Sequence, residues 1–157
     1  MRQETIAIYK FHELSEKARN KAIDNWRAND YDNYSDELAC VKVFCDHFGV
    51  NLSNYNVSAW GVPDYKIEVS NNNFRGRKLK DFSRDHMPTG YWLDCSLWAT
   101  FYDKFKETGS AKTAFDIAVW QGFQDLQNEM EHRGSDEYII ECIELNDYEF
   151  YANGDLV

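Results

Sequence analysis

The stretch FHELSEKARNKAIDNWR, Phe11 to Arg27, decides how the rest of the chain is read. Leu14, Ala18, Ala22 and Trp26 recur four apart with Ile23 beside them, while Glu16, Lys17, Asn20, Lys21 and Asp24 take the other side. One apolar stripe and one solvated face at helical period predict an amphipathic helix. Ser15 stands where an N-cap is wanted, and Glu16 puts negative charge in the first turn, where the helix dipole favours it. The helix is therefore expected from Ser15 to Ala28. Just upstream, Glu4 to Lys10 alternates as a strand, Ile6 and Ile8 on one face and Thr5, Ala7 and Tyr9 on the other.

Downstream, NDYDNYSD is polar and turn-rich, with Ser35 or Asp36 placed to cap a second helix from Asp36 to Phe48. Leu38, Val41, Phe44, Cys45 and Phe48 give that helix its buried stripe, and Gly49 fits its left-handed terminus. The two helices are expected as a hairpin laid on a sheet. The period then falls to two in Asn54–Trp60 and Tyr65–Ser70, with Gly61, Pro63 and Asp64 as the turn, which predicts a β-hairpin. Phe74 to Phe82 follows as a short strand or an exposed loop.

Helical period returns at Tyr91. Leu93, Leu97, Trp98, Phe101 and Phe105 form a stripe that ends at Gly109. Ser110 or Thr113 opens a longer helix with Ala114, Ile117, Ala118, Phe123, Leu126 and Met130 inward, ending near Gly134. Ser135 caps a last helix, Asp136 to about Glu144, with Ile139, Ile140 and Ile143 apolar. The tail is expected to turn at Asn153–Gly154 in a type I′ hairpin, with Tyr148, Phe150 and Leu156 on its inner face. No internal repeat is present. These elements predict one α+β domain over 1–157, an antiparallel sheet of about four to six strands with about five helices packed against it.

Composition narrows the chemistry. A chain of 157 residues can bury roughly two-thirds of its unfolded surface, and 16% aromatic residues supply a core without disulfide or metal staples. No apolar run approaches the ~18–20 residues of a membrane span, and MRQETIAIYK alternates too strongly for a secretory signal, so a cytoplasmic address is expected. Cys40, Cys45, Cys95 and Cys142 contain no CxxC pair and read as buried free thiols. Cys45, Asp46 and His47 are consecutive, so a helix spreads them through about 200°. His12, His86 and His132 show no metal-ligand spacing, and no metal or cofactor is expected.

Cys95, following His86 and flanked by Asp94 and Ser96, is the best-placed thiol nucleophile, yet its neighbours on the apolar stripe make it a core residue. No carboxylate pair is singled out by apolar surroundings. GxxxxGK[ST], GxGxxG and GxSxG are absent, and Arg75–Gly76–Arg77 is too short for a phosphate loop. No catalytic activity is expected.

A net charge of −10 argues against general affinity for nucleic acid or anionic membranes. The charge is also polarised. From Asp125 to Val157 ten acidic residues face Arg133 alone, whereas from Arg75 to Arg84 five cations face Asp81 alone. Glu137, Glu141 and Glu144 recur at i, i+4 and i+7 along one side of a helix, and Asp136, Asp147, Glu149 and Asp155 extend the field. These seven residues are expected to form a partner-binding acidic surface, and Arg75, Arg77, Lys78, Lys80 and Arg84 a second, basic contact.

Two blocks carry a family resemblance. Tyr9–Lys10–Phe11–His12–Glu13–Leu14–Ser15–Glu16–Lys17–Ala18 with Lys21–Ala22 opens the chain; Ser135–Asp136–Glu137–Tyr138, Ile143, Asn146, Tyr148–Glu149–Phe150 and Asn153–Gly154–Asp155–Leu156 close it. Together they cover roughly a quarter of the residues and resemble accessory proteins of tailed bacteriophages and prophages. Many of those carry a Gly- and Asp-rich middle; Trp60–Asp64 and Asn71–Gly76 stand there instead, so no property of that segment carries over.

The resemblance implies an accessory phage gene acting in the cytoplasm of an infected bacterium. Joined to the acidic surface, it leads to the expectation of a protein that binds and inhibits a host protein or ribonucleoprotein complex. An anti-defence inhibitor (anti-CRISPR or antirestriction) is the most specific form, its carboxylates occupying a groove built for phosphates. Two alternatives stand beside it. One is a small nucleic-acid-modifying or nucleotide-handling enzyme whose site joins His86, Cys95 or distant carboxylates. The other is a nucleic-acid-binding module using Arg75–Arg84, with Phe74 and Phe82 for stacking.

Overall fold

The computed structural model describes residues 6–29, 34–58 and 62–157. The chain is α+β, with five α-helices and four short strands among these residues. Within it, backbone contacts define two compact units, Met1–Asp32 with His132–Val157, and Asn33–Glu131.

In the first unit, strand β1 (Ile8–Lys10) leads through a single 3-10 turn into helix α1 (Glu16–Asn29). The expected strand is thus shorter; Glu4 and Thr5 lie outside the described residues. Ser15 caps α1 as expected, its Oγ accepting from the Ala18 N–H at 3.3 Å. Helix α5 (Asp136–Leu145) begins in the same way, with Ser135 Oγ accepting from Tyr138 N–H at 3.3 Å. Strand β4 (Glu149–Tyr151) pairs antiparallel with β1, setting Tyr9 opposite Phe150. Phe11, Leu14, Ala18, Ala22, Ile23, Ile139, Ile143 and Phe150 make the core.

The final turn differs from the expected type I′. Asn153 does not take a positive φ; Gly154 does, at +89°. Gly154 N–H donates to Tyr151 O at 2.9 Å and Tyr151 N–H to Asp155 O at 2.8 Å, the pattern of a three-residue loop ending in a left-handed bulge residue. Glycine is required twice over. A Cβ here would also stand 2.2 Å from Ala18 O, because the turn lies directly on the small-residue side of α1. Leu156, expected inside, is 52% exposed.

The second unit holds helices α2 (Ser35–His47), α3 (Trp92–Thr108) and nearly all of α4 (Ala111–Arg133). Strands β2 (Asn51–Asn56) and β3 (Asp64–Glu68) form its antiparallel hairpin. The expected cap at Ser35 or Asp36 is replaced: Tyr34 takes the N-cap position without its side chain capping the helix, and Ser35 is already helical. Gly49 and Gly109 end α2 and α3 in the left-handed conformation, as their positions predict.

The hairpin begins earlier than alternation indicates, its register shifting between Ser53 and Asn56, where Asn54 has φ +50°. Residues 59–61, including Gly61 of the expected turn, lie outside the described residues. The segment Phe74–Phe82 is neither strand nor simple loop; 3-10 turns at Asn71–Phe74 and Leu79–Asp81 hold it.

Two expectations of layering are corrected. The strands form two separate two-stranded sheets, β1–β4 and β2–β3, in place of one sheet. Helices α1 and α2, expected as one hairpin on that sheet, belong to different units. The core of the second unit is ring-rich. Phe48 lies with its centroid 4.9–6.0 Å from those of Phe44, Phe74, Phe82, Trp98, Phe101 and Phe115. On α4, Phe115, Val119 and Gly122 are buried although the expected stripe omitted them.

Candidate functional site

The seven acidic residues divide into two groups. Asp147, Glu149, Asp155 and Asp136 are engaged by the first unit's own cations. Lys10 Nζ lies 2.9 Å from Asp147 Oδ1 and 3.2 Å from Glu149 Oε1, and donates to Asp147 O at 3.1 Å. The Asp147 hydrogen bond, more than any other influence, holds the Lys10 ammonium above its ordinary pKa. Lys21 Nζ lies 2.7 Å from Asp155 Oδ1, with Asn25 and Asn153 donating to the same carboxylate. Lys21 above all holds Asp155 below the usual carboxylate range. Arg27 pairs with Asp136 and donates to Gly134 O at 3.0 Å.

Asp147 also has an architectural task. It occupies the left-handed position after α5 at φ +54°, where Tyr148 N–H donates back to Ile143 O at 3.2 Å. Aspartate tolerates this conformation better than most residues, and the nearby ammonium accounts for its charge here.

Glu137, Glu141 and Glu144 are the second group. All three are exposed, and their carboxylates have no ion pair or hydrogen bond among the described residues. Ile139 and Ile143 turn inward on the opposite side of α5, which fixes the carboxylates outward. Leu145 beside them is 77% exposed. The last turn of α5 contains no basic residue, so Glu144 opposes the helix dipole, and the i, i+4 spacing of Glu137 and Glu141 adds like-charge repulsion.

The basic cluster divides as well. Arg84 forms a bidentate pair with Asp103, 3.0–3.2 Å. Arg77 donates through Nε to Asn73 O at 3.0 Å and through Nη2 to His47 O at 3.1 Å, and its guanidinium carbon sits 5.0 Å from the Phe48 ring centroid. Arg75, Lys78 and Lys80 are exposed, with no side-chain partner among the described residues. The cluster is therefore not one continuous patch of free charge. Phe74 and Phe82, the candidate stacking rings, pack into the aromatic core.

Arg75 and Arg77 do share a cleft of about 510 Å³ with residues that no sequence motif marks, Ser110 and Lys112 at the start of α4 and Asn71 and Asn72. Proximity there depends on the α3–α4 corner, so chain spacing carries no signal of it.

The alternative catalytic residues do not converge. Cys95, expected in the core, is exposed; lying two residues from Leu93 and Leu97, it faces away from their stripe, and its Sγ is 3.6 Å from Met87 Sδ. His86 packs edge-on to Trp98 at 4.5 Å. His47, also against Trp98, is held below the ordinary histidine value first by burial, then by the fields of Arg77 and His86. Cys40 and Cys45 are fully buried; burial pushes the Cys45 thiol up to about 12, which removes its nucleophilic form. Among the described residues no three His, Cys, Asp or Glu side chains are grouped to hold a metal ion.

Asp94, by contrast, is buried to structural purpose. Its Oδ2 accepts from Thr89 N–H, Thr89 Oγ1 and Gly90 N–H at 2.7–3.0 Å, tying the loop to the first turn of α3. No helix among the described residues is long and apolar enough to cross a membrane. Compared with protein families, curated proteins and solved structures, the chain matches none.

Proposed function

We propose that this protein acts by binding rather than by catalysis, and that it inhibits a host macromolecule by laying the outer face of α5 against a basic surface. The observation that carries this reading is the division of the acidic residues. Asp136, Asp147, Glu149 and Asp155 are each met by a lysine or arginine of the same unit, whereas no cation among the described residues meets the carboxylates of Glu137, Glu141 and Glu144. Their mutual repulsion and the position of Glu144 against the dipole are local costs, and such costs are retained where a surface has a use outside the fold.

Leu145 adds an apolar contact at the edge of the stripe, giving the face an anchor as well as a charge. Three carboxylates on about two turns of helix match a row of arginines or lysines that otherwise holds phosphates. The resemblance of the two terminal blocks to phage accessory proteins supports a host defence complex, protein or ribonucleoprotein, as that partner. The site of action is then the cytoplasm of the infected cell.

The test is affinity capture from bacterial host lysate with the wild-type chain and with Glu137→Lys, Glu141→Lys and Glu144→Lys combined. The expected result is a partner complex retained by the wild type, released as salt is raised, and lost by the triple variant. Equal capture by both proteins would exclude the α5 face.

A further inference from the structure

A cleft in the second unit has the opposite character to α5. Its polar lining is Asn71, Asn72, Arg75, Arg77, Ser110 and Lys112, and no carboxylate lines it, in a chain whose net charge is −10. Arg77 is held in place by two backbone carbonyls and the Phe48 ring, none of which neutralises it. That arrangement fixes the guanidinium and leaves its charge uncompensated. Arg75 is exposed, with no side-chain partner among the described residues. Lys112 shares its charge with Asp116 at 2.8 Å, so it contributes less.

The backbone adds to these side chains. Ser110 caps α4 by accepting from Thr113 N–H at 3.2 Å, and the cleft meets the first turn at Ala111 and Lys112, where helix N–H groups have no partner within the helix. The carbonyl end of α3, which would oppose an anion, is partly satisfied: Gly109 N–H donates to Phe105 O at 2.9 Å and Thr108 Oγ1 to Lys104 O at 2.7 Å.

We propose that this cleft, between the Asn71–Arg77 segment and the start of α4, binds a phosphate group, with Arg77 as the fixed cation and Arg75 as the cation that closes on it. Two guanidiniums with amide and backbone donors match the several oxygens and double charge of phosphate better than those of a single carboxylate. The ligand is small. A groove of about 510 Å³ is the size of a small-molecule site, and a chain of net charge −10 disfavours a long polyanion. The proposal is independent of the α5 reading, since every residue it uses lies in the other unit.

Titration calorimetry on the full chain with inorganic phosphate, adenosine monophosphate and a 12-nucleotide single-stranded DNA tests it. Saturable one-to-one binding of phosphate is expected, with the amide resonances of Ala111 and Lys112 shifting on its addition. Displacement of phosphate by adenosine monophosphate assigns a phosphate ester as ligand, and failure to displace it assigns the free anion; both support the site. Arg75→Glu, an exposed substitution whose fold circular dichroism checks, is expected to weaken phosphate binding about tenfold or more. The triple lysine variant of α5 is expected to bind phosphate as the wild type does. Absence of saturable phosphate binding, an Arg75→Glu affinity within about twofold of wild type, or tighter binding of the DNA than of either small ligand would overturn the proposal.

Discussion

The two units bury their apolar surface by opposite means. The second fills its core with rings, Phe48 at the middle of a cluster that includes Phe44, Trp98, Phe101 and Phe115. The first brings backbone close to backbone: Ala18 and Ala22 leave room on α1, and the Gly154 turn lies against Ala18 O. One unit is consequently sensitive to lost volume and the other to added volume. Both treat charge alike, engaging some residues of a like-charged set and leaving the rest free.

The largest expected effect lies in the aromatic core. Phe48→Ala removes a ring that is 1% exposed and also the face on which Arg77 rests, and is expected to cost about 3–5 kcal/mol in urea unfolding. The matching change in the first unit adds one methyl group. Gly154→Ala forces a Cβ against a backbone oxygen and strains a positive φ, for an expected loss of about 2–4 kcal/mol. Hydrogen exchange would show that loss first in α1 and β4. A neutral result for Gly154→Ala would break the comparison, because the close approach would then be dispensable.

Acid should act on the units at different pH. His47 has a folded value below 6.5, so the unfolded chain takes the proton first, and its contribution to stability falls as pH drops from 6.5 toward the folded value. Asp155 has a folded value below 3.8; its contribution is complete above 3.8 and is lost as pH falls through the folded value. Urea midpoints measured from pH 8 to 3 should therefore decline in a first step that His47→Gln flattens. A later step, near the bottom of that range, should be flattened by Asp155→Asn.

The smallest effect concerns a free charge. Glu144→Lys relieves repulsion along α5 and complements the dipole, so the melting temperature is expected to rise by about 1–2 °C. Partner capture should fall in the same variant. A fall in melting temperature would mean that Glu144 has a structural role after all.

Much of the helical architecture was legible because its signals are local. Ser15 and Ser135 cap the helices they precede, and Gly49 and Gly109 end theirs. Alternation in short strands was legible, and so was the pairing of β2 with β3, whose strands are neighbours in sequence; the pairing of β1 with β4 was not, because β4 comes from the far end of the chain. Of the acidic surface, the α5 spacing of Glu137, Glu141 and Glu144 could be read directly. The engagement of Asp147 and Glu149 by Lys10, and of Asp155 by Lys21, could not, because those partners are more than a hundred positions away. Cys95 was misplaced because two residues' distance from a stripe is still the opposite side of a helix.

Sequence alone determined the sign and segregation of charge, the five helices and the caps at Ser15 and Ser135, since each depends on residues within a turn or two of one another. Tertiary structure decided which charges remain unpaired and which are consumed by the fold. It also closed the Asn153–Gly154 pair as a three-residue loop with a glycine bulge in place of a type I′ turn, and brought α1 so close that no Cβ fits at Gly154. And it assembled Arg75, Arg77 and the first turn of α4 around one cleft, a grouping that exists only once the α3–α4 corner has closed.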